Sequence, residues 1–580
     1  MGLTLPAMRE VKTRQDGVTA FAGYNHNLRL RDNEFYDMRN ISSASLPVVT
    51  ARERRLRLRK LNKPNGLFAH EKLCWVDGTD FYYDGIKKGD VTDDEKQFVR
   101  MGAYVLIWPD KAYYNTHTDE YGCLEARKVT DGTVQCQLCR PDGTLYTDYT
   151  VADTAPGVGV NGALWMDTSA TPNVLRQFVA VSMMWTSIPS VYTKITASGI
   201  GADFKSFDGV TISGCTDEAL NGDFYLIDAG NDFVIVTALI RQAFTQTAAV
   251  TIAREIPDMD FIVESANRIW GCSSEKHEIY ASVLGDAKNW NTFAGLSTDS
   301  YAMTVGSGGR FTGACAHLGD VLFFKEDMIH RMMGTKPANF QLTDTACRGV
   351  GTGNDKSICT VNETLYYRSA HDVCAFGAAL PGSISLQLGA VQYSKAVGGV
   401  LKGRYYLCMA VTGDGGGHAL LVYDTNTGVW CKEDDVCVRW FAAWENDLYF
   451  VDGNGYLWSV GGTNPGLADD SMQWEGPVAW MLETGDLGLD EPNNKYIAGM
   501  QLHVGTDIGT TVRVELQHDA TGAWQEVFRR SFPARGSATI PVIPRRCRTL
   551  RMRLRGEGGF TLYAITKRTQ AGSDVYGTLR

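Results

Sequence analysis

The feature that most constrains this chain is a paired-strand unit that returns at a nearly constant interval. Each unit is an apolar-aromatic strand, a polar turn and a second aromatic strand. It reads Leu73-Cys74-Trp75-Val76-Asp77-Gly78 then Phe81-Tyr82-Tyr83, and Tyr104-Val105-Leu106-Ile107-Trp108 then Ala112-Tyr113-Tyr114. It returns at Arg268-Ile269-Trp270-Gly271 with Glu278-Ile279-Tyr280, and at Val321-Leu322-Phe323-Phe324 with Met328-Ile329-His330. Later copies are Leu365-Tyr366-Tyr367 with Val373-Cys374-Ala375-Phe376, and Tyr405-Tyr406-Leu407 with Leu421-Val422-Tyr423. The last is Leu448-Tyr449-Phe450-Val451-Asp452-Gly453 with Tyr456-Leu457-Trp458. Leu322, Tyr366, Tyr406 and Tyr449 stand 44, 40 and 43 residues apart, the pitch of four-stranded propeller blades. An antiparallel sandwich with accidental similarity is the competing reading. Recurrence of both the strand pair and the pitch favours the propeller.

Composition agrees with short strands and tight turns. Glycine is 61 of 580 residues and aromatics are 11%, while no long amphipathic helix stands out. Hydrophobic residues at 44% and charged residues at 21% exclude wholesale disorder. No uncharged apolar run reaches the length of a membrane span, and Met1–Arg14 lacks the layout of a signal peptide. The 14 cysteines are spread singly, so reduced thiols in a cytoplasm are expected.

The pitch breaks at 123–255, where strand-rich segments interrupt the repeat. Val134-Gln135-Cys136-Gln137-Leu138-Cys139 precedes the turn Pro141-Asp142-Gly143, and Asn221-Gly222 reads as a two-residue hairpin turn. The pitch stops again after Gly461-Gly462-Thr463-Asn464-Pro465. Beyond it, Val512-Arg513-Val514-Glu515-Leu516 and Leu550-Arg551-Met552-Arg553-Leu554-Arg555 alternate at period two. The expected architecture is all-β: an N-terminal arm and basic strand over 1–63, a β-propeller over 64–122 and 256–465, inserted β-rich lobes over 123–255, and a C-terminal β-sandwich-like domain over 480–580. The lobes are expected at one rim, and deleting 186–255 is expected to leave the propeller folded.

Motifs of chemistry are weak. Gly157-Val158-Gly159-Val160-Asn161-Gly162 fits the dinucleotide pattern, but Ala163-Leu164-Trp165-Met166 reads as a strand where that pattern needs a helix. Cys136-x-x-Cys139 has zinc spacing without a second close pair, so buried thiols are the plainer reading. Gly306-Ser307-Gly308-Gly309 is not a G-x-S-x-G elbow and has no α/β context. No catalytic residue, cofactor or metal is assigned, and no enzymatic activity is expected. A glycosidase would need two carboxylates facing across a pocket, which sequence does not reveal.

Charge is more informative. Lys+Arg 56 against Asp+Glu 66 gives −10, which argues against a general nucleic-acid binder. Against that balance stand two basic strands. Arg52, Arg54, Arg55, Arg57 and Arg59 accompany only Glu53, and Arg551, Arg553 and Arg555 form the second alternation. Each can be a solvated strand face, a phosphate contact, or a subunit contact answered by acidic surface such as Asp434 and Asp435. The subunit or partner contact is preferred for Arg55, Arg57, Arg59, Arg551, Arg553 and Arg555.

Asn33-Glu34-Phe35-Tyr36-Asp37-Met38-Arg39-Asn40-Ile41-Ser42-Ser43, followed by Leu46-Pro47-Val48, resembles a family of tailed-bacteriophage virion proteins. Pro257-Asp258-Met259-Asp260-Phe261, Phe323-Phe324-Lys325-Glu326, Glu483-Thr484-Gly485-Asp486-Leu487 and Gly572-Ser573-Asp574-Val575 also match. The family is that of the β-propeller tail hub or nozzle proteins, also labelled packaged-DNA stabilisation proteins. The resemblance implies a virion tail component, assembled in the host cytoplasm as a homo-oligomeric ring, expected to be a hexamer. It would sit below the portal and adaptor and continue the channel for double-stranded DNA during retention and ejection. The alternative function is a carbohydrate- or receptor-binding propeller of the virion, or a glycosidase.

Overall fold

The computed structural model describes residues 13–377, 379–413, 416–489, 494–532 and 536–571; Gly572-Ser573-Asp574-Val575 and the first residues of the expected arm lie outside them. Six of the seven repeat copies fall on the second and third strands of a four-stranded sheet, and the last falls on the second and third of a five-stranded one. The first sheet runs through Pro64–His70, Lys72–Asp77, Asp80–Tyr83 and Ile86–Asp90. The second begins at Gln97–Met101, the third at Phe261–Ser265, the fourth at Gly313–His317, the fifth at Cys359–Val361 and the sixth at Gln392–Leu401. The chain is all-β, with the sheets of a β-propeller, an inserted lobe and a C-terminal sandwich.

The repeat works because the second strand of each sheet is nearly all buried. Val105, Leu106 and Ile107 in the second sheet and Val321, Leu322, Phe323 and Phe324 in the fourth are examples. Such runs are covered on both faces and need no alternation. Where sheets stack, some positions have no room for a side chain. A Cβ on Gly399 of the sixth sheet would sit 2.7 Å from Cγ of Phe441 in the seventh.

The chain divides into two compact units, one of 1–95, 324–329 and 346–580, the other of 96–323 and 330–345. In the first unit, apolar clusters join the fifth sheet to the sixth, the sixth to the seventh, and the seventh to the first. The seventh sheet takes three strands from Val438–Trp444, Asp447–Asp452 and Tyr456–Ser459. Its fourth is Leu56–Lys60, antiparallel to Tyr456–Ser459 with Leu457 opposite Arg59 and Trp458 opposite Arg57. The C-terminal sandwich also recruits the start of the chain. Phe35–Arg39 pairs with Ala479–Thr484, while Thr13–Val18 and Val49–Ala51 pair with Phe560–Ala571. Residues 13–60, read from sequence as an arm and a basic strand, are thus distributed over three sheets. Early strands fill edges that the late strands leave open.

The second unit holds the second and third sheets, most of the fourth, and the inserted lobe. The lobe is an eight-stranded sheet around Val134, Cys136, Leu138, Ile195, Val210, Leu226 and Ile252, plus a four-stranded sheet from Tyr149–Ala152 to Met184–Ser187. One expectation changes here. Asn221-Gly222 is not a two-residue turn: Ile212 pairs with Gly222, and Asn221 closes the loop by bonding the backbone N and O of Cys215. The lobe is itself continuous across 186, because Val134–Cys139 pairs with Tyr192–Thr196 and Ala126–Val129 with Thr251–Arg254. Deleting 186–255 would therefore split the lobe's eight-stranded sheet, whose strands are not shared with the propeller sheets.

Candidate functional site

The first basic segment enters the seventh sheet with Leu56 and Leu58 buried, which turns Arg57 and Arg59 to the other face. There they lie over aromatic rings: Arg57 stands 4.6 Å from the Tyr456 centroid and Arg59 4.9 Å from that of Trp75. Arg57 also donates to Ser471 O at 3.0 Å and Gln473 Oε1 at 2.8 Å, and Arg59 pairs with Asp469 at 3.8 Å.

Just before this strand, Arg52 and Arg55 turn inward. Arg55 is only 3% exposed and contacts Glu433 at 2.5 Å and Asp434 at 2.6 Å. Arg52 grips Glu475 with two donors at 2.6 and 2.7 Å and donates to Asn40 at 2.7 Å. Burial disfavours the charge on Arg55, yet Asp434 and Glu433 outweigh it and raise its pKa. Burial likewise pushes Asp434 and Glu475 up, but the arginines hold both carboxyls below their ordinary range. Both signs are thus ionised inside one network.

This corrects the partner-contact reading of Arg55. Asp434 does answer it, within the same chain, and the buried guanidinium has no face left for another subunit. Arg57 is half-buried against Tyr456 of its own sheet and Arg59 against Trp75 of the first.

The second basic strand, Leu550–Glu557, buries Leu550, Met552 and Leu554 and aligns its arginines on the opposite face. Arg551 donates to Asp486 at 2.7 Å, and that bond foremost raises its pKa. Arg553 donates twice to Glu483, at 2.6 and 2.9 Å, and its guanidinium lies 3.9 Å from the Trp524 centroid. Glu483 and Glu515 sit directly across from Arg553 on the two neighbouring strands, so cross-strand pairing explains the match. Arg555 reaches Glu515 only at 3.6 Å and its side chain is 48% exposed.

Of the six nominated arginines, Arg555 is therefore the one that keeps substantial exposure. It lines an open groove of about 1220 Å³ with Arg39, Arg54, Arg513, Trp474 and Ile508, opposed by Glu53, Asp507 and Glu557. Sequence reading passed over Arg39 and Trp474. Arg513 was visible as the exposed member of the Val512-Arg513-Val514 alternation.

The weaker motifs resolve simply. Cys136 and Cys139 are both buried, and burial pushes their thiols up to about 12 and about 11. Among the described residues no group of three or more His, Cys, Asp or Glu could hold a metal ion. Gly157–Gly162 leads into the strand Leu164–Asp167, as the pattern of Ala163-Leu164-Trp165-Met166 requires. A second hollow, of about 660 Å³, gathers Glu125, Asp258 and Glu278 around Lys111. Lys111 Nζ contacts Glu125 and Asp258 at 2.7 Å each.

No family model matches the chain, and no curated protein matches it. Among solved structures, an exo-beta-1,3-galactanase from Phanerochaete chrysosporium is similar at 10% identity, covering 53% of this chain and 94% of its own, with a TM-score of 0.20. PorZ, a surface component of the type-IX secretion system of Porphyromonas gingivalis, matches at 10% identity over 82% of this chain and 70% of its own, TM-score 0.25. A phage phi92 endosialidase matches at 9% identity over 78% and 76%, TM-score 0.25. Likeness at this level carries no argument about activity.

Proposed function

We propose that this chain is a structural component of a bacteriophage tail or neck, a hub or nozzle that assembles as a ring and conducts packaged double-stranded DNA. The observation that carries this reading is the neutralisation of its densest cationic segments by its own carboxylates. Arg52, Arg55, Arg551 and Arg553 are tied to Glu475, Asp434, Glu433, Asp486 and Glu483. What remains is a chain of net charge −10 whose strongest phosphate-binding candidates are already occupied. Six copies at −10 each would carry about −60, a field that repels phosphate and favours sliding over sticking.

The inserted lobe supports an assembly role as well. Its four-stranded sheet presents Val181, 99% exposed, beside exposed Met183 and Met184, and the nearby loop presents Val158 and Val160. Apolar side chains grouped at a loop tip suit contact with another protein. Portal, adaptor and neighbouring tail proteins are the proposed partners.

Negative-stain microscopy of purified protein and of virions tests the reading. Rings of defined order, or the protein located in the tail, are the expected result. Monodisperse monomers absent from virions would overturn it, and selective binding on a glycan array would replace it with the carbohydrate- or receptor-binding reading.

A further inference from the structure

We infer that Ser307, His330 and Asp344 form a serine nucleophile with its base and orienting acid, able to take an acyl group from an ester. This goes beyond the assembly role, does not depend on it, and gives an activity to a chain in which the sequence leads one to expect none. All three residues belong to the second unit. Ser307 lies in the loop between Tyr301–Thr304, the last strand of the third sheet, and Gly313–His317, the first of the fourth. His330 and Asp344 sit on the neighbouring strands Met328–Met333 and Gln341–Ala346.

Ser307 Oγ is 2.9 Å from His330 Nε2, and His330 Nδ1 is 2.6 Å from Asp344 Oδ1. With the Asp344 oxygen accepting from Nδ1–H, the neutral imidazole presents the Nε2 lone pair to the serine hydroxyl. The imidazole is fully buried, with Phe311 edge-on to it at 6.1 Å between centroids, so its orientation is fixed. The serine itself is only half-buried, and Gly306, Gly308 and Gly309 around it are exposed, with open space where a Cβ would be. A nucleophile, its base and the group that orients the base are thus in sequence along one hydrogen-bonded line. The open space around these glycines favours an acyl ester carried on a large hydrophilic molecule over a small substrate needing enclosure. Arg310 beside it is 83% exposed and only loosely paired with Asp260, at 3.9 Å, which favours an anionic carrier.

In the step, the Ser307 Oγ–acyl carbon bond forms while the hydroxyl proton passes to His330 Nε2. The ester C–O bond breaks and the departing alkoxide takes that proton from the imidazole. Water then yields a proton to Nε2, attacks the acyl carbon, and releases a carboxylic acid as the proton returns to Ser307. Asp344 is a positioning residue, acting through the imidazole.

The test is reaction with a fluorophosphonate, which forms a Ser307 Oγ–phosphorus bond and expels fluoride, alongside hydrolysis of p-nitrophenyl acetate. An adduct on the peptide containing Ser307 is expected, absent in Ser307→Ala together with the hydrolysis. Because His330→Ala empties a buried site and can fail to fold, Asp344→Asn is the second variant. It should slow labelling about a hundredfold with melting unchanged, and Asp344→Glu should restore part of the rate. Absence of an adduct in folded wild-type protein, or equal labelling in Asp344→Asn, would show that the hydrogen bonds only pin the loop and overturn the inference.

Discussion

The strands Leu56–Lys60 and Leu550–Glu557 carry the same alternation of leucine or methionine with arginine, yet their surroundings give those arginines different work. The first strand completes a propeller sheet. The turn before it drives Arg52 and Arg55 into a buried network, where each guanidinium meets carboxylates from distant parts of the chain. The second lies in the middle of a sandwich sheet, and its arginines meet cross-strand carboxylates on a face that solvent partly reaches. Period-two patterning fixes which face a side chain takes. What covers that face decides whether a charge is structural or available.

The sharpest way to break the comparison is Arg55→Ala. It leaves Glu433 buried without its cation and Asp434 with only Arg52 at 3.4 Å, a loss of about 3–5 kcal/mol that urea denaturation would measure. A loss below about 1 kcal/mol would place Arg55 in the exposed class.

Acid titration separates the two regions next. Asp434 and Glu475 have folded pKa values held below their ordinary 3.8 and 4.5. Such groups contribute stability that is present above the unfolded value and lost as pH falls through the folded one. Urea midpoints should therefore hold at neutral pH and fall as pH drops below about 4.5, with a shallower fall in Arg52→Met. An unchanged slope in that variant would remove Glu475 from the network.

Arg553→Ala should cost less, about 1–3 kcal/mol, because its two bonds to Glu483 are charge-assisted but solvent reaches the face. Arg555→Ala is the smallest effect on folding, within about 0.5 kcal/mol, and the largest expected on ring formation followed by light scattering. Unimpaired rings in an Arg39, Arg54, Arg513 and Arg555 quadruple alanine variant would remove the groove from the assembly surface.

Much of the architecture could be read before any coordinates because the repeat is local. An aromatic strand pair such as Leu365-Tyr366-Tyr367 with Val373-Cys374-Ala375-Phe376 needs only its own turn to form a hairpin. Pairings between chain ends were not legible: nothing in Thr13–Val18 announces Phe560–Ala571 as its neighbour. The arginine alternations were visible, and Asp434 was even named as a counter-charge, but whether an ion pair closes within a chain depends on packing that sequence does not display. The Ser307 line was hidden for a related reason. Its members lie on a loop and two strands, and Gly306-Ser307-Gly308-Gly309 matches no elbow motif.

The borrowed fourth strand of the seventh sheet has a consequence for synthesis. Arg52 stands 423 residues before Glu475, so the ribosome releases Leu56–Lys60 long before any hydrogen-bonding partner exists. Residues 96–345 can gather into most of their unit while the early strands remain open edges, the kind of edge that invites association between nascent chains. Four closely spaced arginines at 52–57 disfavour contact between neighbouring unfinished copies by like-charge repulsion, until late carboxylates arrive to neutralise Arg52 and Arg55.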